Sequence, residues 1–215
     1  MRFAVWALGL VALAGTPLRA QQVTLGAGYA LADYREQADF LHFKGSGPTA
    51  TLAVERGRLA LRLDAWHLDM EPDKDAAPPL EPFTFDQFNM RLGLRAMSVV
   101  TVEAGYMKRS MDPSRAAQSL SAATLGVRAA YPLAPGAEVA VRTAYVAASD
   151  FAGGGSAPFG IELGLTAAYG PGSGRFRLTG DYEFQRIDRR TTQNGSRLSV
   201  PIQSSFARVG LTVRF

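Results

Sequence analysis

The chain has 215 residues, 47% of them hydrophobic, a formal net charge of +4 and no cysteine. The missing cysteines rule out disulfides, thiol catalysis and cysteine-based metal centres. The charge is too small to imply a nucleic-acid partner, and it falls to +2 when Arg2 and Arg19 leave with residues 1–20.

Residues 1–20 read as a secretory signal peptide. Met1-Arg2 supplies a charged start, Phe3 to about Ala14 an apolar stretch, and Leu18-Arg19-Ala20 a cleavage site before Gln21. The apolar stretch is too short to span a bilayer as a helix, which takes roughly 20 residues. The mature domain is therefore expected to be residues 21–215. Export leads to a compartment that permits disulfides, but a closed barrel needs no covalent staple.

From Val23 onward the chain alternates with period two, the signature of strands with one apolar and one polar face. The first strand, to about Ala32, sets Val23, Leu25, Ala27, Tyr29 and Leu31 against Thr, Gly and Ala. The second covers about Gly47 to Glu55. The third, Leu59 to about His67, puts Arg62 and Asp64 opposite Leu61 and Leu63. The fourth, about Gln87 to Ala96, alternates Phe88, Met90, Leu92 and Leu94 with Asn89, Arg91, Gly93 and Arg95. The fifth places Glu103 opposite Val102 and Tyr106, and the sixth Arg128 opposite Val127 and Tyr131. The seventh carries Glu138 and Arg142 against Val139, Val141 and Tyr145. The eighth runs from Phe159 to Tyr169 with Glu162 on its polar face. The ninth sets Arg177, Asp181 and Glu183 against Phe176, Leu178, Tyr182 and Phe184. The tenth, Ala207 to Phe215, ends on an aromatic and carries Arg208 and Arg214 opposite Val209 and Leu211. The connections alternate short turns with five long segments, near 33–44, 69–85, 109–121, 148–158 and 187–199.

Alternation does not say which face points inward, and a soluble lipocalin-like barrel or sandwich would share the period. Three features favour apolar-out. The opposite face mixes Gly, Ala and Thr with charges, as a narrow lumen requires. Aromatics stand at both ends of the apolar rows: Tyr131, Tyr169, Phe176 and Phe215 on the turn side, and Tyr29, Tyr106, Tyr145, Phe159 and Tyr182 on the loop side. These are expected to form interfacial girdles. The ten steps from Phe159 to Tyr169 also give a height of about 24 Å when tilted near 45°.

The terminal strand closing on Phe215, with this face pattern, resembles the small bacterial outer-membrane β-barrels, including OmpA-like, OmpX-like and opacity-type proteins. The resemblance covers Gln21 to Phe215. It implies a transmembrane antiparallel up-and-down barrel in the bacterial outer membrane, all-β, with both termini periplasmic. It also implies that Phe215 belongs to the signal read by the barrel-assembly machinery, and that outer-membrane lipid and lipopolysaccharide are partners. The best-known relatives have eight strands, the alternative to the ten counted here, and no residue-level active site carries over.

With the apolar face outward, Arg62, Asp64, Arg91, Arg95, Glu103, Arg128, Glu138, Arg142, Glu162, Arg177, Asp181, Glu183, Arg208 and Arg214 line the lumen and must pair or stay hydrated. Neighbouring strands offer Arg91, Arg95 or Arg128 to Glu103, and Arg208 to Asp181 or Glu183. The expected function is a structural or surface-interaction barrel whose loops meet an extracellular ligand. The alternative is a small porin-like channel, and a third reading is an outer-membrane hydrolase. His42 is expected in the first long loop and His67 on the outward parity, away from inward Asp64, with no Ser in a nucleophile context. That pattern does not support a catalytic triad. The acidic 69–75 stretch with Glu81 lacks a fixed calcium-loop spacing, and Gly153-Gly154-Gly155 has no helix after it. No cofactor or metal is implied. Arg186, Arg189, Arg190 and Arg197 make the last loop basic, suited to lipopolysaccharide phosphates.

Overall fold

The computed structural model describes residues 21–37, 40–73, 80–171, 174–193 and 196–215. The expected signal peptide, its cleavage site and Lys74-Asp75 of the acidic loop lie outside the described residues. Ten strands follow one another in chain order: β1 (Gln21–Glu36), β2 (Leu41–Arg56), β3 (Leu59–Pro72), β4 (Phe83–Arg95), β5 (Val100–Pro113), β6 (Leu120–Ala134), β7 (Ala137–Phe151), β8 (Ser156–Tyr169), β9 (Phe176–Gln193) and β10 (Ser196–Arg214). Each pairs antiparallel with its chain neighbours, and β1 closes the barrel on β10 from Thr24↔Arg214 to Glu36↔Ile202. Closure satisfies every strand edge, which a barrel in lipid requires.

The strands run well past the boundaries that alternation suggests. β10 has 19 residues, about 60 Å of strand or roughly 45 Å of height at a 40° tilt, against an apolar band about 25 Å tall in barrels of this kind. Most of the five long connections expected from the sequence are therefore strand. β1 reaches Glu36 and β2 begins at Leu41, while β9 reaches Gln193 and β10 begins at Ser196.

The physical reason is a reversal of phase. Below the loop-side aromatics the outside is apolar: Leu25, Leu92, Leu94, Leu125 and Leu211 are all exposed. Above them the same parity carries Asp33, Arg35, His42, Lys44, His67, Asp86, Arg186 and Asp188 on the outside, joined into ion pairs. There the inward positions turn apolar instead. Tyr34, Phe43, Leu68, Met70, Phe85, Met111, Ile187 and Ile202 have at most 2% of their surface exposed. A period-two reading stops where the apolar face changes sides, although the backbone ladder continues.

Candidate functional site

From the turn side upward, the lumen has three layers. The lowest is a cavity of about 510 Å³, walled on one side by Gly26, Gly28, Gly210, Thr24 and Thr212. These small inward residues of β1 and β10 leave the space. At Gly28 an added Cβ would come within 2.6 Å of the Val209 carbonyl oxygen, so glycine also lets the strands approach. Arg95, Arg128, Glu138, Arg177 and Arg214 line the same cavity.

The middle layer is ionic. The Asp64 carboxylate, 1% exposed, accepts from Arg62 Nε at 2.9 Å, Arg91 Nη2 at 2.7 Å, Arg208 Nη1 at 3.3 Å and Thr51 Oγ1 at 2.7 Å. Arg62 and Arg91 stand directly opposite one another across β3 and β4. Two like charges so placed repel, and Asp64 between them turns the repulsion into a clamp. Arg208 Nη2 also meets Asp181 at 2.9 Å, a pairing between adjacent strands. Glu103 instead reaches Arg142, two strands away: Arg142 Nε donates to Glu103 at 2.8 Å and Nη1 to Glu162 at 2.7 Å. Gly126, between them on β6, presents no side chain; a Cβ there would stand 2.7 Å from that of Ala144. Arg95 pairs with Glu55 and Arg128 with Glu138, each at 3.2 Å. Glu183 accepts from Gln185 at 2.5 Å.

The top layer is the apolar plug. Trp66 packs edge-on against Phe206, with ring centroids 4.5 Å apart, and Phe206 meets Phe85 at 5.5 Å. Phe43 and Phe83 stack edge-on at 4.9 Å, with Tyr34 completing the cluster. Arg109 is threaded through the plug, 4.8 Å over the Phe85 ring, donating to Gln87 and Gln185. Tyr34 Oη donates to Glu36, which also accepts from Gln118. The sequence had assigned Arg109 and Glu36 to loops; the signal that would have found them is the inward parity continuing beyond the phase reversal.

The sequence also placed Arg189 in an exposed basic loop. It sits inward on β9, 6% exposed, donating to the Gly154 carbonyl and Gln118 Oε1 and lying 5.0 Å over the Phe151 ring. Burial pushes its guanidinium below its ordinary value. Arg186 and Arg190 keep the outward parity. His42 is on β2, not in a loop, and bridges Asp33 and Asp73, both at 2.8 Å.

His67 Nδ1 meets Asp86 Oδ1 at 2.6 Å on the outside of the wall, and Ser110 follows Asp86 in register on β5. The carboxylate thus stands between hydroxyl and imidazole, and Ser110 Oγ donates to Asp112 instead, at 2.6 Å. This order gives no base-activated nucleophile. Among the described residues no group of three His, Asp or Glu is arranged to hold a metal ion.

The Asp33 cluster yields a pH-dependent expectation. Burial by itself would push the Asp33 carboxyl up, but hydrogen bonds from Arg35 and His42 outweigh it and hold the carboxyl below its ordinary value. Lys44 and Asp73 complete its surroundings. A depressed carboxyl stabilises the fold above its unfolded pKa and loses that contribution as pH falls through its folded value. Asp33→Asn is expected to lower stability by less than about 1 kcal/mol at pH 7. The gap to wild type, measured by urea midpoints, should close below about pH 4.

No protein-family pattern matches the chain, and no curated protein matches it. Solved structures do. The outer-membrane protease OmpT of Escherichia coli superposes with a TM-score of 0.52 over 91% of this chain and 96% of that one, at 8% identity. The fold is that of an outer-membrane β-barrel. Neisserial surface protein A matches at 14% identity over 90% of this chain and 97% of its own, TM-score 0.37. A FadL homologue of Pseudomonas aeruginosa matches at 9% over 91% and 90%, also TM-score 0.37. Identities this low concern the backbone alone.

Proposed function

We propose that the chain is an integral bacterial outer-membrane barrel that does not conduct. In this reading its turn side and both termini face the periplasm, and its protruding wall and loops meet an extracellular ligand. The observation that carries the reading is the plug: the lumen is filled above the ionic layer by side chains such as Phe43, Phe85, Leu68 and Met111, each fully buried. A porin-like path would have to pass through packed aromatic rings. The phase reversal supports the placement, since the exposed apolar belt suits lipid and the ion-paired outside above it suits water. The aromatics Tyr29, Tyr106, Tyr145, Phe159 and Tyr182 stand where the two meet, with Tyr131, Tyr169 and Phe176 at the other edge. Outward Arg186 and Arg190 would face lipopolysaccharide phosphates just above the belt. The order of His67, Asp86 and Ser110 supports a non-catalytic wall.

Planar-bilayer recording tests this: the purified barrel should be silent, and steady open-channel currents from wild type would overturn the reading. Assembly gives a second measurement. Phe215 stands at the closing seam with its side chain exposed, its backbone N–H donating to Val23 O at 2.9 Å. If the terminal aromatic is read by the assembly machinery, Phe215→Ala should lower the heat-modifiable, folded fraction in outer membranes several-fold. In-vitro refolding into detergent should change little, because one exposed side chain contributes at most about 1–2 kcal/mol.

A further inference from the structure

The inward arginines do not all have counter-ions. Arg62, Arg91, Arg95, Arg128, Arg142 and Arg208 each meet a carboxylate. Arg109 and Arg189, in the plug, donate to neutral oxygens of Gln87, Gly154 and Gln118 instead. Arg177 and Arg214 meet no carboxylate among the described residues. They are close neighbours on one face: Arg177 on β9 is in register with Thr212 on β10, and Arg214 is two positions further along β10. Arg214 is itself in register with Thr24 of β1, and the Gln22 amide stands against its guanidinium.

Two adjacent guanidinium groups on one sheet face repel unless an anion lies between them. Higher in the same lumen the chain supplies that anion itself, in Asp64 between Arg62 and Arg91. At the turn-side end the carboxylates Glu55, Glu138 and Asp181 line the cavity but pair with Arg95, Arg128 and Arg208. Arg177 and Arg214 open onto the same 510 Å³ cavity without one among the described residues. That volume falls within the ~300–1,000 Å³ of small-molecule sites. Above the cavity the Asp64–Arg208–Asp181 layer narrows the lumen and the buried plug of Phe43, Phe85, Leu68 and Met111 closes it, so the cavity is a blind cup and not a passage.

We infer that this cup is a binding site for a small oxyanion solute, carboxylate or phosphate, bridged by Arg177 and Arg214, with Gln22 and Thr24 beside them to take its hydroxyl groups. Arginine suits the role because its fixed fork matches either oxyanion with paired charge-assisted hydrogen bonds. Arg177 is half-buried in the wall and Arg214 stands exposed at the mouth, and their like charges in one concave site attract an anion. The inference rests on the reading of a barrel sealed at its long-connection end, and on the open end facing the compartment that holds the solute.

The test is calorimetric titration of the whole barrel in non-ionic detergent with glucose 6-phosphate, gluconate and glucose. Either or both anions should bind while glucose gives no heat, and their ranking separates phosphate from carboxylate. Arg177→Gln with Arg214→Gln should weaken binding at least about tenfold. Arg58→Gln, on the exposed β2–β3 turn outside the cup, should leave it unchanged. Heat-modifiable migration confirms that every variant is folded. If a folded wild-type barrel binds neither anion below ~10 mM, the inference fails. It fails equally if Arg58→Gln weakens binding as much as the double variant. A silent barrel without binding sinks only the cup, whereas channel currents sink the sealed-barrel reading beneath it.

Discussion

Asp64→Ala should cost the barrel about 3–5 kcal/mol, because it removes a buried carboxylate shared by three arginines. Arg62, Arg91 and Arg208 all donate to Asp64. Among the described residues only Arg208 of the three has a second carboxylate, Asp181. Without Asp64, Arg62 and Arg91 face each other in register with no charge between them. Asp64→Asn keeps the volume and the Thr51 contact but removes the charge, so it should lose most of the same energy. The measurement is equilibrium urea unfolding in phospholipid vesicles, read by gel migration of unheated samples. If Asp64→Asn lies within about 0.5 kcal/mol of wild type, the arginines are hydrated and the clamp is not structural.

The second large effect concerns the plug. Trp66, Phe85 and Phe206 form one aromatic column across the upper lumen, and Phe85 also carries Arg109 over its ring. Truncating a buried Phe to Ala costs about 3–5 kcal/mol and leaves a void. In a soluble core that void stays dry; here it adjoins the polar ionic layer below. Phe85→Ala with Phe206→Ala should therefore turn a silent barrel into one with measurable single-channel conductance. Arg142→Ala alone should not, because the plug above it stays intact. Opening by Arg142→Ala at wild-type plug sequence would show that the ionic layer, and not the aromatics, holds the lumen shut.

The two ends of the barrel thus do different physical work. Where the outside faces hydrocarbon, burial of apolar surface holds no lumen together, and the inside is organised by ion pairs and hydrogen bonds. Where the wall rises into water, the hydrophobic effect again acts inward and builds an ordinary core. That Arg109 and Arg189 are buried among aromatics in this region, and not exposed on loops, follows from the wall continuing.

Strand number, order and face were legible from residues 21–215 because period-two alternation is local: Leu59, Leu61 and Leu63 declare their face without knowledge of any other strand. The adjacent-strand contact of Arg208 with Asp181 was within reach of the same arithmetic. The reach of Arg142 to Glu103, past the missing side chain of Gly126, was not. Nor was the plug, since Trp66 of β3 and Phe85 of β4 meet Phe206 of β10, far along the chain, only once the sheet has closed. Local alternation determines a strand and its two faces. Which side of the wall lipid or water will touch, and what meets across the enclosed space, depends on curvature and closure, and those exist only in the assembled barrel.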